Sequence, residues 1–146
     1  MRFQSGKHAG KTLDEVLLKQ PDFAQWYIRK YPDAPAAKEF DRLMRKFDAK
    51  PFTKKCRCGK PATGASTYQN SPSLMFWCDE CPPHSSGAER GKVAAVTSIR
   101  GVLGHIDWTA DGYRAWKRDI VRKLAEGKGL PKRVGEQQAL AFFSET

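Results

Sequence analysis

The chain of 146 residues contains four cysteines, and they fall in two close pairs, Cys56-Arg57-Cys58 and Cys78-Asp79-Glu80-Cys81. Two pairs of thiolates held face to face are what a tetrahedral metal site requires, and zinc is the usual occupant of such a closed site. The first pair is one residue shorter than the usual Cys-x-x-Cys knuckle. Lys55 and Arg57 flank or split it, and local positive charge favours the thiolate form that binds metal. A disulfide within Cys-x-Cys would be strained. A redox Cys-x-x-Cys would want a βαβ setting, whereas Cys78 follows the strand-like run Leu74-Met75-Phe76-Trp77 and Cys81 runs into Pro82-Pro83. The expectation is one structural Zn2+ held by Cys56, Cys58, Cys78 and Cys81. His84, three residues past Cys81, is a candidate substitute ligand, although a surface histidine is the simpler reading.

These residues do not suggest catalysis. Four thiolates leave zinc no open position for water. Asp14, Glu15 and Asp22 form no repeated acidic motif of the two-metal kind. Gly10-Lys11-Thr12 resembles the end of a phosphate loop, but Gly6 stands four residues before Gly10 rather than five, and no apolar strand precedes it. The chain is therefore read as non-enzymatic. The simple reading of residues 6 to 12 is a turn with exposed lysines; the sharper one makes Lys7, His8 and Lys11 a phosphate-contacting tip.

The formal net charge of +10 points to a polyanionic partner, DNA or RNA. It is spread along the chain, at +4 over residues 1–50, +2 over 51–90 and +4 over 91–146, which argues against a basic tail on a neutral body. No apolar run has membrane-spanning length and no signal-type stretch opens the sequence, so a cytoplasmic setting is expected.

The elements that must position these residues read as three segments. In residues 1–50, Thr12 and Glu15 form a capping box for a short helix through Val16, Leu17 and Leu18. Pro21 starts a second helix to about residue 31, carrying Phe23, Trp26, Tyr27 and Ile28. A third, from Pro35 to about Phe47, places Phe40, Leu43, Met44 and Phe47 on one buried stripe. In residues 51–84, strands 66–69 and 74–77 flank a turn at 70–73 and form a hairpin between the knuckles, a zinc ribbon in outline. In residues 85–146, a small-residue linker at 85–88 precedes a helix within 91–106. Thr109 then caps a helix over 110 to about 126, with Tyr113, Trp116, Ile120 and Leu124 on one face. Arg114, Lys117, Arg118 and Arg122 lie on another, beside Lys128, Lys132 and Arg133. A last helix over 136–143 packs Leu140 and Phe143 onto this pair. The expected fold class is α+β.

The first segment also resembles a known family. Phe3, Gly6-Lys7, Gly10-Lys11, Glu15-Val16, Pro21, Phe23 and Trp26 follow in order the pattern of the small domain at the C-terminus of exodeoxyribonuclease X-like proteins, found also in stand-alone bacterial and phage proteins. Gln4-Ser5 and Gln20 depart from it. The resemblance implies an accessory module of DNA processing without the nuclease. The middle segment resembles a four-cysteine zinc ribbon.

These readings converge on a zinc-binding, nucleic-acid-binding accessory factor. Its expected nucleic-acid contacts are Lys7, Lys11, Lys55, Arg57, Arg114, Lys117, Arg118 and Arg122. Lys54 and Lys60, with Tyr68 and Trp77 for stacking, are further candidates on the ribbon. The alternative is a phage- or bacterium-encoded factor that docks on a replication, repair or transcription enzyme.

Overall fold

A computed structural model describes residues 1–56, 58–68, 71–78, 80, 93–96, 98–109 and 113–144. Thr12 Oγ1 accepts the Glu15 backbone N–H at 3.2 Å and starts α1 (Leu13–Lys19). Glu15 turns its carboxylate to Lys19, 3.5 Å away, so the cap is the threonine half of the expected box. Pro21 and Pro35 stand at the first turns of α2 (Pro21–Lys30) and α3 (Pro35–Ala49), where a missing N–H costs nothing. The α3 stripe is as its spacing predicts: Phe40, Leu43, Met44 and Phe47 are all buried.

The middle of the chain forms an antiparallel sheet in the order β2-β1-β3, from β1 (Gly64–Tyr68), β2 (Ser71–Trp77) and β3 (Val93–Val96). The hairpin lies between the cysteine pairs as expected, but its second strand begins earlier than expected, at Ser71. Ser71 already pairs with Tyr68, so Ser71 and Pro72 belong to the strand, and a bulge falls between Thr67 and Tyr68. The predicted helix over 91–106 is corrected at its front end. Residues 93–96 pair with the other edge of β1, with Ala65 opposite Val96 and Tyr68 opposite Val93. An unpaired edge gains more from a third strand than Val-Ala-Ala-Val gains from a helical turn.

The helix begins at α4 (Ile99–Thr109). Ser98 Oγ accepts the Gly101 N–H at 3.0 Å, and Asp48, from the end of α3, accepts the Ile99 N–H at 2.9 Å. Thr109 is therefore the last residue of α4 rather than a cap. The next helix, α5 (Arg114–Glu126), starts later than predicted, after Tyr113, whose side chain makes no capping bond. In α6 (Glu136–Ser144), Ala139, Phe142 and Phe143 are buried while Leu140 is exposed, so the packed face is rotated from the one expected.

Helices from both ends of the chain contribute to one core. Leu13 and Leu17 of α1, Phe40 and Phe47 of α3, Leu103 of α4, Leu124 of α5 and Phe143 of α6 all belong to it. The divisions expected near residues 50 and 84 thus follow chain order, while the apolar contacts join the first segment to the last. The sheet docks on this core at the end of α5. The Gly127 carbonyl accepts the backbone N–H groups of Thr53 and Lys54, at 2.7 and 3.2 Å, and the Thr53 hydroxyl at 3.2 Å. Phe76 of β2 lies so close that a Cβ at position 127 would stand 2.4 Å from its ring. The architecture is α+β.

Lys128 ties this junction to α3. It is buried, its Nζ donates to the Phe47 carbonyl at 2.7 Å and lies within about 5 Å of the Phe47 and Phe52 ring centres. A cation here faces the negative end of α3. Burial nevertheless pulls its pKa from 10.5 down to about 8, against the partial support of Asp48. The sign of the effect follows. Below pH 8 both folded and unfolded chains hold the proton, and the cost of the buried charge is present in full. Between 8 and 10.5 the unfolded chain holds a proton that the folded one has released, so this group makes stability rise with pH. Urea unfolding of wild type and Lys128→Met across pH 7 to 10 should show wild type gaining on the variant as pH rises; a constant difference would refute this.

Candidate metal centre and cationic cleft

The first cysteine pair is shaped by a short turn. The Cys56 N–H donates to the Lys60 carbonyl at 2.7 Å, and the Gly59 N–H to the Cys56 carbonyl at 2.9 Å. Gly59 has φ of 92°, a left-handed conformation that glycine adopts without strain. Lys55 and Pro61 close the base of the loop by a single bridge. The second pair begins where β2 ends, and the Thr63 N–H to Trp77 carbonyl bond, 2.9 Å, sets the two side by side. An ion pair between Lys60 and Glu80 spans them.

The result is a cluster of Cys56, Cys58 and Cys78 whose sulfur atoms all lie within 4.8 Å of one another. Cys58 and Cys78 sulfurs are 3.5 Å apart. Two thiolates on one tetrahedral zinc, each bonded at about 2.3 Å, stand about 3.8 Å apart, so the spacing fits a shared ion. Cys56 and Cys78 are buried and Cys58 is exposed. Soft thiolate donors select zinc, copper(I) or iron over hard cations. The expected fourth ligand Cys81, its candidate substitute His84, and Arg57 lie outside the described residues.

The expected nucleic-acid contacts separate into several kinds. Lys7, Lys11 and Lys55 are exposed. Arg114 is exposed at the first turn of α5 and makes no ion pair among the described residues. Arg122 pairs with Asp119 at 3.4 Å. Arg118 grips Asp22 of α2 with two nitrogens, at 2.9 and 3.1 Å, and that carboxylate raises the guanidinium pKa further. Lys117 is not on a solvated stripe at all. It is buried, its Nζ lies 2.6 Å from Asp107 and 2.6 Å from the Gln25 side-chain oxygen. The buried face of α5 is Lys117, Ile120, Val121, Leu124 and Ala125, so this lysine occupies a core position and ties α5 to α4 and α2. At Asp107 burial works against the charge, but hydrogen bonds from Lys117, Arg29 and Gln25 outweigh it and lower the pKa.

His8 also differs from expectation. The backbone of residues 3–11 folds back through Phe3 and Gly10 and through Ala9 and Gly6, with left-handed glycines at 6 and 10. This carries the imidazole inward against Phe23, with ring centres 4.4 Å apart. The side chain is 3% exposed, and neither ring nitrogen has a hydrogen-bond partner among the described residues. Burial, then the nearby Lys11, Lys7 and Arg118, hold its pKa below 6.5, so the ring is neutral at pH 7.

His8 and Lys7 form one wall of a cleft of about 390 Å³. The N-terminal halves of α2 and α5 supply the rest, bringing Arg114 and Arg118 together with Phe23 and Trp26 in one lining. Sequence patterns do not reveal this cleft, because they give no sign that α5 returns to α2. Lys117 does leave a trace: positions 117, 120, 121 and 124 follow one helical stripe, with a lysine in its first place.

Among the described residues, no helix is long and apolar enough to cross a membrane. Comparisons with protein-family models, curated proteins and solved structures gave no match.

Proposed function

We propose that this chain is a zinc-binding, non-catalytic factor that binds nucleic acid as an accessory to DNA or RNA processing. Cys81, three residues beyond Cys78, is the natural fourth thiolate for the cluster of Cys56, Cys58 and Cys78, which makes the middle segment a four-cysteine ribbon. Four thiolates give a closed structural site, and the role of the metal is to hold the sheet. The observation that carries the nucleic-acid reading is one cleft where Lys7 and Arg114, without ion pairs among the described residues, stand near a half-exposed Trp26 on a chain of charge +10. Cations beside an exposed aromatic suit an unpaired strand, through phosphate attraction and base stacking. The likeness of residues 3–26 to the exodeoxyribonuclease X C-terminal module agrees with it.

Mobility shift with single- and double-stranded DNA and RNA across salt tests this reading. Single strands should bind with a log–log salt slope of about −0.7 per phosphate contact, and Lys7→Glu with Arg114→Glu should flatten that slope by about 1.4. Absence of any salt-dependent shift would overturn it. The exposed Trp26 of α2 and Tyr31 at its end, with ring centres 6.1 Å apart, would then favour a factor that docks on a protein.

A further inference from the structure

From the geometry around His8 we infer that the cleft is a nucleotide subsite, with the phosphate held at Lys7, His8 and Arg114 and the base laid towards Phe23 and Trp26. This rests on the nucleic-acid reading and gives it a specific place. Three independent features meet here. The first is His8 itself: a neutral imidazole carries one N–H, and leaving it buried and unbonded is unfavourable. Its side chain lines the cleft, and both its nitrogens lack partners among the described residues.

The second feature is the pair of helix starts. Gln20 precedes α2 and Tyr113 precedes α5, neither side chain caps its helix, and both helices begin at this cleft. Their positive dipole ends favour an anion between them. The Gln20 side-chain oxygen is likewise buried without a partner among the described residues. The third feature is charge. Asp22 is the carboxylate in the lining, and the Arg118 fork neutralises it. Asp107 is occupied by Lys117 and Arg29. Lys7 and Arg114 are left as uncompensated cations among the described residues, and Arg118 adds a guanidinium edge.

A lone inorganic anion would use only the cations and leave the aromatic rings unused. Phe23 and the half-exposed Trp26 line the same cleft and offer aromatic surface to a base attached to that phosphate. Lys30 lies 5.2 Å from the Trp26 ring centre, so the base meets the remaining exposed surface of the indole. A cleft of this volume is near the lower end of small-ligand sites, suited to one nucleotide rather than a duplex groove.

The test follows the His8 imidazole by long-range proton–nitrogen correlation in the full-length zinc-loaded protein. The probes are inorganic phosphate, thymidine 5′-monophosphate, 5′-phosphorylated pentathymidylate and a phosphoserine peptide. Pentathymidylate should shift the His8 signals and bind at least roughly tenfold more tightly than inorganic phosphate. Lys7→Glu with Arg114→Glu should weaken it by about tenfold or more. Trp26→Ala should weaken both thymidine ligands and leave phosphate binding unchanged. Equal affinity for mononucleotide and pentathymidylate would assign the subsite to free nucleotides; tighter pentathymidylate would assign it to a strand. If oligonucleotides bind in the mobility shift while His8 stays still and the double variant binds normally, the subsite is refuted and the broader reading survives. If no nucleic acid binds by either method, both fall. A His8 response to the phosphopeptide alone would overturn the nucleotide assignment.

Discussion

Removing the metal should unfold the β-hairpin and leave the helices standing. Chelation with EDTA and a thiol-reactive mercurial should release about one zinc per chain, and amide exchange over residues 64–68 and 71–77 should lose its protection. The amides of α1, α3 and α5 should stay protected. The reason is that few large side chains are buried among the described residues of the hairpin. Leu74, Met75, Phe76 and Trp77 are only partly buried, and among the described residues of this region the buried apolar groups are small ones such as Ala62 and Ala65 besides two of the cysteines. Structural zinc supplies apparent binding free energies of about 10–16 kcal/mol in small peptides, enough to decide whether a short hairpin folds. Cys78→Ser removes a buried ligand and should reproduce the effect. Native mass spectrometry of a metal-free chain whose hairpin amides remain protected would refute the zinc site.

The second large effect is expected at Lys117. Substituting Lys117→Met keeps the volume but leaves Asp107 facing α5 without its nearest cation, and should cost about 2–4 kcal/mol in urea unfolding. Arg29 still reaches Asp107 at 3.1 Å and Gln25 at 2.8 Å, which holds the cost below that of an orphaned buried charge. The double variant Lys117→Met with Asp107→Leu should recover much of the loss, because exchanging a whole polar pair for apolar groups is far cheaper than breaking it. A cost below about 0.5 kcal/mol for the single change, typical of surface sites, would show that the pair contributes nothing. The same reasoning warns against Arg118→Glu as a binding test, since it sets a second carboxylate against Asp22. Lys7 and Arg114 are the cations that can be reversed without breaking an ion pair seen among the described residues.

What could be read in the sequence depended on whether the signal was local. Thr12, Pro21 and Pro35 mark helix starts through bonds and torsions made within a few residues, and all three helices begin there. The α3 stripe is equally local. β3 was not legible because Val93 to Val96 owes its strand to the free edge of β1, more than twenty residues earlier in the chain. Thr109 looks like a cap by type, yet Asp48 and Ser98 had already started α4, which runs through it. Lys117 and His8 were misplaced for a common reason. Each was given to the surface by its polarity, and each is buried by a partner from a distant segment, Asp107 and Gln25 for the lysine and Phe23 for the histidine. The clustering of the three cysteines was legible because metal-ligand chemistry constrains residue type and spacing directly, before any tertiary contact is known.

The joining of α1 to α6 has a consequence for how the chain acquires its shape during synthesis. The N-terminal helices emerge from the ribosome first, but their apolar faces are covered by α4, α5 and α6, and Arg2 meets Glu136. At about 5–20 residues per second, α1 to α3 wait several seconds for those partners. The segment of Cys56, Cys58 and Cys78 needs no such delay, since these cysteines and the hairpin lie within about thirty residues of chain and can gather as soon as they appear. Metal capture would then come early and helical closure last, with Gly127 as the place where the finished sheet receives the final helices.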